Sequence, residues 1–296
     1  MKGILLVDKP SGMTSHDVVD CVRRASGIRR VGHTGTLDPR ATGLLILCLG
    51  GATRLSEHLT RLDKTYEGTM RLGVVTDSYD LDGQVLDESP VPDLDIAGIQ
   101  RTCEGFTGAL MQVPPMVSAV KVGGERLYKM ARQGETVARE PRPVTVHEFL
   151  VMGYEPPDVL IRVGCTSGTY VRSLCHEVGQ LLGCGAALAS LTRTRVGRHT
   201  VENAVSLDAL TGPEAVKEHL VPVECALDLP SVVVRSAARK KVTSGIALNQ
   251  KDLEGTCPVR EGWVQVKTDS GALLALGLVQ TGPIGVLIHP KRVLAD

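Results

Sequence analysis

Gly32-His33-Thr34-Gly35-Thr36-Leu37-Asp38-Pro39-Arg40-Ala41-Thr42-Gly43 is the stretch on which the reading of this chain turns. It is a loop rich in glycine and threonine that carries one carboxylate, Asp38, directly ahead of a proline. Two local readings stand side by side. An Asp before Pro starts turns by accepting from its own backbone. Small residues also let a loop approach a ligand closely, and Pro39 narrows the conformations open to Asp38.

The surroundings predict a mixed α/β chain. Gly3–Val7 reads as a strand, Lys9–Gly12 as a turn, and Ser15 as the cap of a helix opening at His16. Val18, Val22 and Ala25 share one helix face, and Gly27 is its stop. The apolar run Leu44–Leu49 follows the loop. Thr65–Val74 and Val159–Cys165 alternate as strands, and a helix is expected from about Arg172 to Leu182, ended by Gly183 and Gly185. A short helix is expected to open at Ser206, with Asp208 in its first turn. Residues 112–145 form a basic, proline- and glycine-rich insertion with a short helix expected at Arg126–Gln133. A boundary is expected near Pro222–Pro230. Beyond it Val232–Val234, Trp263–Lys267, Leu273–Leu278 and Gly285–Ile288 read as the short strands of a small β-rich module.

Bulk properties narrow the function classes. At 296 residues the chain has room for about two domains of roughly 150 residues each. Eight cysteines without a C-x-x-C pair suit reduced, mostly buried thiols better than disulfides or a zinc site. The apolar start is broken by Asp8 and Lys9, and no run of about 18 apolar residues exists, so a cytoplasmic protein without a membrane span is expected. Net charge is zero, which by itself argues against nucleic-acid binding; yet basic residues dominate before 64 and after 230, while 77–104 is acidic, so a basic face remains available.

Familiar chemistry motifs are missing: G-x-G-x-x-G, G-x-x-x-x-G-K-[ST], H-E-x-x-H and H-x-E with P-C-x-x-C are all absent. With one Trp, two Phe and five Tyr, the chain lacks the means to stack many bases on an aromatic sheet. Tyr66 and Tyr170 stand out because each lies beside charged residues.

The loop and a series of further segments resemble the bacterial transfer-RNA pseudouridine-55 synthases, the TruB family. The segments are Asp8–Gly12, Gly32–Gly43 running on to Gly51–Arg54, Lys64–Tyr66, Thr76–Gly83, Pro115–Lys121, Tyr128–Gly134, Ser167–Arg172 and Leu191–Arg193, in family order over about residues 3–210. The tail from about 231 resembles, more weakly, the family's small RNA-binding module.

The resemblance implies a pseudouridine synthase catalytic domain over 1–225, with a large mixed sheet and flanking helices, and a PUA-like module over 231–296. It implies isomerisation of uridine-55 in the transfer-RNA T loop, on a flipped-out base, with no cofactor or metal. The partner would be the T stem-loop alone, with the protein acting as a monomer. Asp38 matches the nucleophile, Arg172 the arginine that pairs with it and holds its pKa low, and Asp80 the carboxylate that orients that arginine. Tyr66 matches the tyrosine that stacks on the base and takes part in proton transfer. Tyr170 and Leu191 would line the pocket, and His33 would fill the space left by the flipped base. Lys9 and Arg54 are candidate phosphate contacts; position 54 is commonly lysine in the family. The alternatives are an RNA-guided catalytic subunit of a ribonucleoprotein, an RNA-binding protein that folds transfer RNA, and a small-molecule hydrolase built on the Asp38–Arg172 pair.

Overall fold

The computed structural model describes residues 1–118, 121–127, 130, 137–282 and 285–294. Among these, a mixed sheet of eleven strands forms the centre of the molecule. Its main path runs Val205–Ser206, Gly3–Lys9, Thr42–Leu49, Ala186–Val196, Lys64–Leu72, Asp158–Cys165, Arg142–Glu155 and Gly108–Gln112. Most neighbours are antiparallel; Thr42–Leu49 meets Ala186–Val196 in parallel.

One face of this sheet carries three helices. Ser15–Ser26 buries Val18, Val19 and Val22 there, Ile96–Glu104 buries Ile99 and Cys103, and Val171–Leu182 buries Leu174, Cys175 and Val178. The apolar positions recur at helical spacing, so each helix has one stripe to bury and lays it on the sheet. The other face is covered by Ala52, Leu55 and Leu59 together with residues from 223 onward, described below.

Helix ends follow local chemistry. The first helix is capped by Thr14 and starts at Ser15, one residue earlier than expected. Thr14 and Asp17 form a reciprocal capping box, which a serine at the next position could not complete with the same Asp. Ser15 does other work: its hydroxyl donates to the Leu37 carbonyl and accepts from the Leu37 amide, at 3.1 and 2.8 Å. Gly27 and Gly183 end their helices in the left-handed conformation, as the sequence indicates.

Two expectations are corrected. The strand expected over Thr65–Val74 breaks at Gly73, whose φ is +84°, and a separate hairpin pairs Val74–Thr76 with Val85–Glu88. The helix expected from Ser206 is a single tight turn, Leu207–Ala209, too short to present an apolar stripe. The strand Gly108–Gln112, five residues with a mostly exposed pattern, went unread, as did the length of Arg142–Glu155, whose start is masked by Arg142 and Pro143. The helix expected over Arg126–Gln133 falls largely outside the described residues.

From Ser231 the chain builds a second sheet of six strands with its own apolar core, including Val232, Val234, Val264, Val266 and Ile288. It is not free-standing: Leu273, Leu276 and Leu294 join Ile4, Leu6, Leu44 and Ile46 in one further cluster. Arg54 donates to the Val293 carbonyl at 2.6 Å across this junction, and Arg292 pairs with Glu57 at 2.7 Å.

The loop that opened the sequence reading closes against the sheet at Gly43. Its φ is +93°, and a Cβ there would lie 2.4 Å from the Arg193 carbonyl oxygen. Both the backbone conformation and the contact exclude a side chain. Gly43→Ala is expected to destabilise the protein by roughly 2 kcal/mol or more, read from the urea midpoint. A variant within ~0.5 kcal/mol of the parent would show that the two strands separate easily.

Candidate active site

Asp38 sits where the glycine-rich loop passes over the end of the sheet. The backbone on both sides of it is held by side chains from elsewhere. Arg193 is 2% exposed and reaches under the loop, donating through Nε to the Leu44 carbonyl at 2.7 Å, through NH1 to Thr36 at 3.4 Å and through NH2 to Gly35 at 3.1 Å. Ser15 holds Leu37. Lys9, fully buried, donates to the carbonyls of Pro10 at 2.9 Å, Met13 at 2.6 Å and Pro39 at 2.9 Å. The Gly12 amide adds a bond to the Pro39 carbonyl.

Asp38 itself stays available. Its side chain is 49% exposed, and Arg172 NH2 approaches one carboxylate oxygen at 3.1 Å. Among the described residues that carboxylate takes no backbone N–H; the turn at Asp38 is closed by its own carbonyl, which accepts from the Ala41 amide at 3.1 Å and leaves the side chain free. Arg172 is only 5% exposed. It is the second residue of its helix, and its guanidinium is shared: NH1 meets Asp80 at 3.2 Å and NH2 also donates to the Val117 carbonyl at 2.8 Å. Asp80 in turn accepts from the Ser78 hydroxyl and from the Asp82 amide at 3.1 Å. Beside them Arg40 pairs with Asp82 at 2.6 Å.

The charge balance corrects one expectation. Arg172 does pull the Asp38 carboxyl down, but loss of solvation in the cleft is the larger effect and Asp80 adds to it, so the Asp38 pKa lies above its ordinary value. The carboxylate is held in place rather than made a weaker base.

The cleft, of about 250 Å³, is lined by Asp38, Tyr66, Tyr170, Arg172, Leu188 and Leu191 among others. That is below the roughly 300–1,000 Å³ of pockets for drug-sized ligands, and suits one base rather than an extended molecule. Tyr66 projects from Lys64–Leu72 at 9% exposure. Burial pushes its phenol up, with the charge of Arg193 in partial opposition, so it is a neutral phenol near pH 7. Tyr170 precedes the Arg172 helix, and both its backbone groups are held by the Gln112 amide, at 2.8 and 3.1 Å. Its ring lies 5.9 Å from the Arg172 guanidinium.

Three predicted residues fall elsewhere. Lys9 is no phosphate contact, because all its donors are spent inside on carbonyls. Arg54 is exposed, lies outside the cleft lining and spends one N–H on the Val293 carbonyl at the junction of the two sheets. His33 lies on the short strand Val31–His33 and outside the cleft lining. Burial, then Arg193 and His16, lower its pKa and keep the ring neutral.

Arg193 and Lys64 were passed over as site residues, yet both line the cleft. Lys64 is 6% exposed and donates to the Thr60 carbonyl at 2.8 Å and to that of Leu62. The signal was present: Lys64 lies two residues from Tyr66 and Arg193 two from Leu191, so strand alternation aims each pair at one face. A larger cavity, of about 580 Å³, lies next to the cleft with Lys64 in both walls, but holds none of the Asp38 group. Among the described residues no cluster of His, Cys, Asp or Glu could hold a metal, and no helix is long and apolar enough to cross a membrane. Burial raises the thiols of Cys48 and Cys103 to about 12.

Comparison with known proteins gives this arrangement its class. Residues 23–171 match the family described as TruB family pseudouridylate synthase (N terminal domain), and 172–228 match the tRNA pseudouridylate synthase B C-terminal domain. The tRNA pseudouridine synthase B of Opitutus terrae is 50% identical over 236 residues, covering 79% of this chain and 97% of that protein. That of Syntrophotalea carbinolica is 42% identical over 279 residues, covering 93% and 91%. Among solved structures, a Cbf5-Nop10-Gar1 complex contains a chain similar at a TM-score of 0.77, 29% identical, covering 99% of this chain and 85% of that one. An H/ACA RNP bound to a substrate RNA containing 2'-deoxyuridine contains another, at 0.76 and 27%, with the same coverage. Loop, cleft and sheet are therefore those of a pseudouridine synthase. Within that class the chain belongs to the TruB family.

The buried Lys9 makes a pH prediction. Burial is the larger effect on its pKa and lowers it from 10.5 to about 8, with Asp38 and Asp17 opposing. Between those two pH values the unfolded chain holds a proton that the folded chain has released. The contribution of Lys9 to stability therefore rises with pH across the window. The difference in unfolding free energy between parent and Lys9→Met is expected to grow from pH 8 to pH 10.5. A flat difference would mean that the ammonium pays no desolvation cost in its carbonyl cradle.

Proposed function

We propose that this protein isomerises uridine to pseudouridine in transfer RNA, at uridine-55 of the T loop, with Asp38 as the nucleophile. The observation that carries the reading is the Asp38–Arg172–Asp80 chain at the floor of a cleft for one base, with Tyr66 as its wall. The substrate follows from the relatives named tRNA pseudouridine synthase B, which align with most of this chain.

The chemistry asks for these residue types. The bond from N1 to the ribose breaks, the base turns, C5 bonds to the ribose carbon in its place, and the C5 proton leaves while N1 takes one up. No electrons or groups are imported. A fixed carboxylate traps or stabilises the broken species while the base rotates. Arg172 holds that carboxylate and offsets charge in a poorly solvated site. Tyr66, as a neutral phenol in the cleft, is placed against the base and able to exchange a proton with it. Reaching a paired or stacked uridine requires extruding it, at a cost of a few kcal/mol. The protein is proposed to do this as a cytoplasmic monomer without a guide RNA or protein partner.

A second reading rests on the solved neighbours, which belong to an H/ACA RNP and a Cbf5-Nop10-Gar1 complex. Incubating the purified chain alone with unmodified transfer RNA, then mapping pseudouridine by position, decides between them. Product in the T loop is expected. Product elsewhere overturns the position, and product only after adding RNA or protein partners supports the second reading.

Asp38→Asn is expected to lose activity by roughly 10³-fold or more while binding transfer RNA as before. Arg172→Gln removes the group that lowers the Asp38 pKa, so the acid limb of the pH–rate profile should move upward as kcat falls. A limb that stays put or moves down would show that Asp38 is not the group that titrates.

A further inference from the structure

Outside the cleft, one residue departs from ordinary backbone geometry. Tyr79 is the one non-glycine residue with positive φ among those described, at +66°. Bulky L side chains rarely adopt that conformation. It lies in the turn between Thr76 and Gly83, immediately before Asp80, and its ring stacks on His176 with centroids 4.0 Å apart and planes 18° from parallel.

We propose that the Tyr79–His176 stack is a positioning device for the reaction: it pins the Asp80 turn to the helix that carries Arg172, and so fixes the guanidinium that faces Asp38. This rests on the reading of Asp38 and Arg172 given above.

Three observations converge. His176 follows Arg172 by four residues on the same helix, so the two side chains share a face one turn apart. The turn therefore grips that helix twice, Asp80 on Arg172 and Tyr79 on His176. The turn is also tied to the strand Ala186–Val196, by Leu188 N–H to the Tyr79 carbonyl at 2.9 Å and Leu81 N–H to the Leu188 carbonyl at 3.0 Å. With its backbone fixed there, Tyr79 reaches His176 only because its φ is left-handed. Finally, the His176 Nδ1 is buried without a hydrogen-bond partner among the described residues. Ring packing, and not a hydrogen bond to that nitrogen, keeps the imidazole where it is. Burial also lowers the His176 pKa, so the stacked ring is neutral.

The consequence reaches Asp38 through charge. Desolvation in the cleft raises its proton affinity most; among the charges facing it, Arg172 and Lys9 lower it and Asp80 raises it, and Asp82, paired with Arg40, lies alongside. If the stack is lost, the turn loosens and Asp80 withdraws from Arg172. The guanidinium then loses one of its three partners and its hold on Asp38 weakens, so Asp38 ionises at higher pH.

The test compares Tyr79→Gly and His176→Ala with Tyr79→Phe and His176→Phe, using steady-state kinetics on transfer RNA across pH. Tyr79→Gly and His176→Ala are expected to lower kcat by about tenfold to a hundredfold, with KM within about threefold of the parent. Their acid limb should shift to higher pH, the direction expected of Arg172→Gln. Both Phe variants keep a stacked ring and should retain kcat and the limb. Glycine adopts the left-handed backbone without strain, so Tyr79→Gly should unfold at or above the parent temperature, separating positioning from stability. Parent-like kcat and acid limb in Tyr79→Gly and His176→Ala would overturn the proposal, as would Phe variants impaired as much as those two. Asp38→Asn run alongside tells the failures apart: activity there overturns both this proposal and the reading beneath it, whereas its loss beside parent-like stack variants overturns the stack alone.

Discussion

The Asp38 loop has no regular secondary structure of its own, so its shape depends on side-chain donors from distant segments. Arg193 holds the carbonyls of Gly35 and Thr36, Ser15 holds both backbone groups of Leu37, and Lys9 holds the carbonyl of Pro39. Two of these donors are buried cations that face carbonyl oxygens instead of carboxylates. Burying a charge is costly, and pairing it with a carboxylate is the usual compensation. Here that compensation would place another carboxylate beside Asp38. Carbonyl partners satisfy the donors without competing for Arg172.

The same choice shapes the electrostatics of the cleft. Arg193, Lys64 and Lys9 surround the base of the loop, and their carbonyl cradles leave most of their charge uncancelled. Lys64 shows the effect: burial, with the nearby Arg193 adding to it, lowers its pKa to about 8. Asp38 meets the opposite pressure. Its pKa rises despite Arg172, because desolvation exceeds the attraction. Sequence alone argued from the pair and predicted a lowered value. A pair can be named from sequence, but the desolvation of its members is a property of the walls around them.

How much was legible depended on whether a feature was local. Helix stops at Gly27 and Gly183 needed only a residue free to adopt the left-handed conformation, and both were read. The shift of the first cap from Ser15 to Thr14 turned on which residue could reach Asp17 and which was needed by Leu37, a contact 22 positions away. Asp38, Tyr66, Asp80, Tyr170, Arg172 and Leu191 were named through family resemblance, and the fold brings them to one cleft or its immediate support. Lys9 was misread for a simple reason. A lysine in a turn looks solvated until the chain that buries it, at Met13 and Pro39, is in place.

The run Leu44–Leu49 shows why the second sheet matters to the first. Six apolar residues in succession cannot belong to a strand with one wet face, since alternate side chains point to opposite sides. Leu45, Leu47 and Leu49 enter the core beneath the helices, while Leu44, Ile46 and Cys48 enter the cluster shared with Leu273, Leu276 and Leu294. The neighbouring strand divides likewise, Leu5 and Val7 to one side, Ile4 and Leu6 to the other. The family match changes segment between residues 171 and 172, inside the Arg172 helix, so that division follows sequence similarity and not an edge of the fold. The strand that leaves the Asp38 loop at Gly43 is thus packed from both faces, and the second sheet supplies part of one. Its rigidity, and through it the placement of the carboxylate, is a property of the whole chain.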